Sequence, residues 1–206
     1  MSQMQYPAFF DSAPRLVIYD PLSDFLGATE RGILEYQYLD VVKVAGHSCP
    51  TVAGAYLMTL KALAHLYGEE LPVRGEIDVL LPEAVDEGVT GVLASVATLL
   101  TGATGAGGFK GIAGRFDRRN GLSFEVDLPC TMAFRRRGTG TVVGAAFNAG
   151  TIPIAPAARA LMQQAIGGAA SSEEEALFRW HWQDRVKRIL IDHADDPALV
   201  SVHPLS

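Results

Sequence analysis

The run Pro50 to Tyr67 constrains this chain more than any other segment. It has a helical pattern and a single formally charged residue, Lys61. A helix without a polar face must be buried on most sides, so the rest of the chain has to wrap around it. Both ends are marked. Pro50 suits the first helical position, where its missing N–H costs nothing. Gly68 stands where a helix is commonly closed. The 206 residues are 49% hydrophobic and 19% charged, enough apolar material for one well-filled core and too little charge for a disordered chain.

Residues 1–30 carry scattered Pro and Gly and are expected to wrap the surface, within an N-terminal extension that spans 1–34. Tyr36 to Val44 reads as extended, and Glu76 to Leu81 as a strand. Val89, Val92, Leu93, Val96, Leu99 and Leu100 repeat at helical spacing and predict a second helix ending near Gly102. A glycine-rich loop, Gly102 to Gly114, follows. Arg115 to Asp127 reads as a β-hairpin turning at Asn120-Gly121. Thr131 to Arg136 and Thr141 to Phe147 are predicted strands, and Pro156 to Ile166 a short helix closed by Gly167-Gly168. Ser172 and Glu175 form a capping box for a third long helix, with Trp182, Val186, Ile189 and Leu190 on one face. Leu199 to Val202 reads as a last strand. Blocks of helices and hairpin-like strands predict an α+β fold. Its core domain spans 35–150, an antiparallel or mixed sheet packed by long apolar helices, and a C-terminal helical segment, 151–206, packs on it.

Chemistry concentrates at the start of the apolar helix, in Val44-Ala45-Gly46-His47-Ser48-Cys49-Pro50-Thr51. His and Cys are ligands that zinc and related metals choose. Cys49 falls at the N-cap, where free backbone N–H groups and the helix dipole favour the thiolate. Two functional readings follow: metal ligation by His47 and Cys49, or a metal-free enzyme with Cys49 as nucleophile and His47 as its acid/base partner. The alternative is a buried cysteine beside a hydrogen-bonded histidine in a non-catalytic subunit or interaction module. Two ligands do not complete a zinc site, so Glu83, Asp86 and Cys130 are further candidates. Each also has an ordinary role: first-turn helix charge for the carboxylates, a small buried hydrophobe for the thiol.

The glycine-rich loop lacks the Gly-Lys-Ser/Thr ending of a phosphate loop and follows a helix, which argues against a nucleotide site. Lys110 could hold an anion there. Arg115, Arg118 and Arg119, with Arg135, Arg136 and Arg137 on a neighbouring segment, could line a site for an anionic small molecule or simply guard strand edges. A net charge of −6 argues against nucleic acid as the main partner. No apolar stretch reaches the roughly 20 residues that span a bilayer. Met1 to Arg15 shows no secretory pattern, so a cytoplasmic location is expected. Cys49 and Cys130, the two cysteines, then read as free thiols or ligands. The nearly chargeless helix together with a C-terminal helix carrying its own apolar face predicts a homodimer.

Gly46-His47-Ser48-Cys49-Pro50, followed by a Gly54-containing apolar helix, resembles the His-Gly-His-x-Cys-Pro-Gly signature of the FmdE-like family, named for a component of formylmethanofuran dehydrogenase. Leu99-Leu100-Thr101-Gly102-Ala103-Thr104 is similar to that family's Leu-Thr-Gly-Cys-Thr segment. The resemblance covers roughly residues 35–150. It implies an α+β core, a metal-binding cleft and frequent dimerisation. It also implies a bound divalent metal, zinc foremost, acting on a small carbonyl or formyl-like substrate. The chain departs from the signature at Ala45, Thr51 and Ala103, and it has no cysteine after Cys130 to build the C-terminal zinc finger of some members. His47 and Cys49 are the positions that carry over.

Overall fold

The computed structural model describes residues 5–205. The fold is α+β, with two sheets and six α-helices among those residues. Strand β1 (Leu16–Tyr19) pairs antiparallel with β2 (Ile33–Tyr36), enclosing the short helix α1 (Pro21–Leu26). Helices α2 (Tyr38–Ala45) and α3 (Pro50–Tyr67) follow, then β3 (Ile77–Leu80) and α4 (Thr90–Thr101). The remaining elements are β4 (Leu122–Ser123), β5 (Met132–Arg136), β6 (Val142–Phe147), α5 (Pro156–Ile166), α6 (Ser172–Lys187) and β7 (Val200–Leu205). The larger sheet has the order β4-β3-β5-β6-β7, with β4 parallel to β3 and every other neighbour antiparallel.

The nearly chargeless helix α3 is the centre of the molecule. It packs on β5, β6 and β7, with α4 and α2 against its other sides. Val52, Tyr56, Met58 and Leu63 are fully buried. Gly54 is what lets α3 approach β6: a Cβ there would collide with the Phe147 ring. Lys61 keeps its ammonium at the surface, 3.3 Å from Asp195. The apolar face expected to need a second copy is therefore covered within one chain, which removes the ground for expecting a dimer from this helix.

Three expectations are corrected. Tyr36 to Val44 is a strand only at its first residue and turns helical after Gln37. Tyr36, Tyr38, Val41, Val42 and Val44 are residue types that favour strands, but the Gln37 N–H donates to Asp40 Oδ2 at 2.9 Å in a capping box. Tyr38 and Val41, spaced three apart, are then buried on one helix face. Arg115 to Asp127 is not a hairpin. Asn120 does take the left-handed φ of +57°, yet only Leu122–Ser123 is a strand, and it pairs with β3. Arg118 turns inward to Asp20, a side-chain destination that a hairpin facing solvent would not permit. The capping box of α6 is Ser171 with Glu174, because Ser-Ser-Glu-Glu-Glu satisfies the pattern in either of two registers.

The N-terminal segment does more than wrap the surface. Ile18 is fully buried and Leu16 nearly so, and the β1–β2 ladder runs across the expected boundary at residue 34. Among the described residues no helix is long and apolar enough to cross a membrane.

Candidate functional site

Helix α2 ends on Gly46 in the left-handed conformation, φ +75°, and the chain turns directly into α3. Cys49 is the N-cap of α3, with extended backbone, and its Sγ accepts the Val52 N–H at 3.5 Å. The thiol and Pro50 thus occupy the positions their sequence order predicts. His47 is exposed, and its Nδ1 lies 2.9 Å from the Ala45 carbonyl. A carbonyl only accepts, so Nδ1 carries a proton, and in the neutral ring Nε2 keeps a free lone pair.

Ser48, between them, is the residue that the fold holds. Its hydroxyl donates to Gln183 Oε1 at 3.0 Å and receives the Tyr38 hydroxyl at 3.0 Å. Burial pushes the Tyr38 phenol well up, so it stays protonated and able to donate. The Ser48 carbonyl accepts from Trp182 Nε1 at 3.0 Å and from Gln183 Nε2 at 3.2 Å. Helix α6 is pinned over the turn by this neutral network.

Beside the clamp lies a cavity of about 570 Å³. Phe10, Leu39, Val42, Phe178 and Trp182 give it a mainly apolar wall, with Lys43 and Arg179 as its cations. Gly46 and Ser48 of the turn line it, whereas His47 and Cys49 do not.

Among the described residues the donors fall short of a closed zinc site. Zinc sites take at least three protein ligands, and among the described residues no group of three His, Cys, Asp or Glu side chains lies together. Glu83 is exposed and accepts the Thr90 hydroxyl at 2.9 Å, tying down the first residue of α4. Asp86 is exposed in the turn before that helix. Cys130 sits at the foot of β5, where its thiol donates to the Met132 carbonyl at 3.2 Å and packs against Gly144. Burial pushes the Cys130 thiol up, opposite to an activated nucleophile. Glu83 and Cys130 share the wall of a separate cavity of about 440 Å³ that contains neither His47 nor Cys49.

The basic residues divide. Arg119 is held by Asp117, Arg136 by Glu70, and Arg135 and Arg137 both by Asp78. Lys110 is exposed on the loop and forms no ion pair among the described residues. Arg115 and Arg118 meet Arg137 and Arg74 around one further cavity. Asp20 and Arg74, which anchor this cluster, carry no local signal in the sequence. Their one legible trait is an Asp directly before Pro21, the N-cap arrangement in which Asp20 accepts from Leu22 and Ser23 N–H. Ser48, Trp182 and Gln183 likewise form a network that no sequence pattern announces, since they lie far apart in the chain.

No protein-family model matches this chain, and no curated protein matches it.

Proposed function

We propose that the protein binds a small, mainly apolar molecule carrying an acidic group in the cavity between α2, α6 and residues 5–10. The observation that carries this reading is the clamped, preformed cavity of about 570 Å³, with Lys43 and Arg179 in its wall, each paired with a carboxylate outside the lining, Asp40 at 3.6 Å and Glu175 at 3.2 Å. Its size falls in the range of small-molecule sites, whose walls are largely apolar with a few placed polar groups. Ser48 and Gln183 fix the geometry of the α2–α3 turn at its edge. Decanoate, titrated while Trp182 emission is followed in a Trp180→Phe background, tests the idea. A saturable change at one equivalent, abolished by Val42→Phe, which narrows the cavity without adding an indole, is the expected result. An unsaturable response, or one that Val42→Phe leaves intact, refutes it.

A second reading keeps a divalent metal, zinc, on His47 and Cys49, in line with the resemblance to the FmdE-like family. Its support is the free Nε2 lone pair two residues from a half-buried thiol on one turn. The remaining donors would come from water or a bound molecule, which makes the site open and weak. Zinc titration of the chelator-treated protein, with His47→Ala and Cys49→Ser alongside, decides it: equal affinity in all three discards the assignment.

A further inference from the structure

A cavity of about 380 Å³ lies between the α1 start, the Arg74–Glu76 segment and the Gly114–Arg118 segment. Four arginines line it: Arg74, Arg115, Arg118 and Arg137. Arg74 and Arg118 share a single carboxylate, that of Asp20, at 3.0 and 2.7 Å. Arg137 shares Asp78 with Arg135, both at 2.6 Å. Arg115 forms no ion pair among the described residues. It lies over the Phe116 ring, 4.6 Å from its centroid, with Phe25 at 5.7 Å. Guanidinium charge therefore exceeds the carboxylate charge that pairs with it.

The most constrained member is Arg118. Its residue is 6% exposed, and its Nη1 is buried with no hydrogen-bond partner among the described residues. A buried donor of a charged group left unmade is costly and calls for an explanation. That nitrogen lies over Gly75, itself part of the cavity wall, where any Cβ would collide with it. Two acidic side chains stand in the same wall. Asp117 is neutralised by Arg119 through bonds of 3.0 and 2.6 Å, and Glu76 makes no side-chain hydrogen bond or ion pair among the described residues.

We infer that this cavity binds a phosphate group, carried by a small phosphomonoester. Arginine forks match phosphate oxygens in pairs, and a cluster that is under-neutralised by the protein holds such an anion without a further cation. The cavity volume exceeds what a bare ion needs, and the Phe116 ring with Arg115 upon it offers a flat wall for the attached group.

Calorimetric titration at matched ionic strength, with sodium chloride as the control, tests the inference. Ribose 5-phosphate and inorganic phosphate are the two probes. Saturable binding of ribose 5-phosphate is expected, weakened about tenfold or more in Arg115→Ala by loss of one charge-assisted fork. Arg115 is exposed, so this variant should keep the wild-type melting temperature. Glu76→Gln is expected to tighten binding several-fold, an effect that a purely structural arginine cluster does not produce. Tighter binding of the ester than of the free ion supports the phosphomonoester. Equal affinity for both overturns the ester and leaves the free ion as ligand. Absence of saturable heat with either probe, or an Arg115→Ala variant that binds as well as wild type, overturns the site itself.

Discussion

The turn Gly46–Pro50 and the loop Gly102–Gly121 begin alike and are held by opposite means. Each leaves a helix through a left-handed glycine, φ +75° at Gly46 and +74° at Gly102. The first runs straight into α3 and is pinned by neutral groups: Tyr38, Trp182 and Gln183 around Ser48. The second closes on itself, with Gly121 and Leu122 N–H both donating to the Thr104 carbonyl, and is anchored by a buried charge, Arg118 on Asp20. A neutral clamp leaves an apolar cavity at its side. A charged anchor leaves a cationic one. The contrast is one of failure cost: an unmade neutral hydrogen bond costs far less than an uncompensated buried charge.

The sharpest way to break that contrast is Asp20→Ala. It strips the shared carboxylate from Arg74 and Arg118 and removes the α1 N-cap in one step. The expected loss is about 3–5 kcal/mol, the usual penalty for leaving a buried charge unpaired, read from the urea midpoint. The same residue gives a pH signature. Burial alone would push its carboxyl up. The Ser23 N–H, the charge of Arg118, the Arg74 hydrogen bond and the Leu22 N–H outweigh it and hold the carboxyl below its ordinary value. A carboxyl lowered in the folded state contributes its full stabilisation above the unfolded value of about 3.9. That contribution fades as pH falls below this value and through the folded one. Wild type should therefore lose stability on acidification below about pH 4 more steeply than Asp20→Asn does. Parallel curves for the two proteins would remove Asp20 as the anchor.

Gly54→Ala probes the frame that both connections share. The added methyl meets the Phe147 ring across the α3–β6 contact. Overpacking of this kind costs about 1–3 kcal/mol, offset only in part by alanine's better helix propensity. A stabilised variant would show that α3 can move off the sheet freely. Ser48→Ala comes next, at about 1–2 kcal/mol, because it leaves the Tyr38 hydroxyl and Gln183 Oε1 without a partner while the two bonds to the Ser48 carbonyl persist. If Ser48→Ala proves as damaging as Asp20→Ala, the neutral and charged connections do not differ in the way described.

The same contrast explains what the sequence discloses. Helix α3 is legible because a run with one charge has few places to go, and its ends are written locally in Pro50 and Gly68. The N-cap of Cys49 is legible for the same reason. Strands β5 and β6 and helices α4 and α5 are readable from period and punctuation. Helix α2 is not, since Tyr38, Val41, Val42 and Val44 are residue types that favour strands, and its helicity is decided by where Tyr38 and Val41 find a core. The hairpin expected at Asn120-Gly121 fails because a local turn signal is overruled by Arg118 reaching Asp20 across the chain. His47 and Cys49 are visible as chemistry, yet the residues that shape a cavity beside them, Phe10, Phe178 and Trp182, come from distant elements that no local spacing connects.

The smallest effect on stability is expected from His47→Ala. The ring is exposed and has one hydrogen bond, to the Ala45 carbonyl within its own turn, while the clamp on Ser48 does not involve it. Exposed substitutions of this kind change stability by about 0.5 kcal/mol or less. Decanoate binding should be unchanged as well, because His47 does not line the apolar cavity. The variant therefore separates the two readings of the turn. Unaltered stability and decanoate affinity, with zinc affinity lost, would place metal binding on the exposed edge of the turn and ligand binding on its inner face. A loss of stability comparable to that of Ser48→Ala would instead mean that the imidazole takes part in holding the turn, and the division between a fixed Ser48 and a free His47 would have to be abandoned.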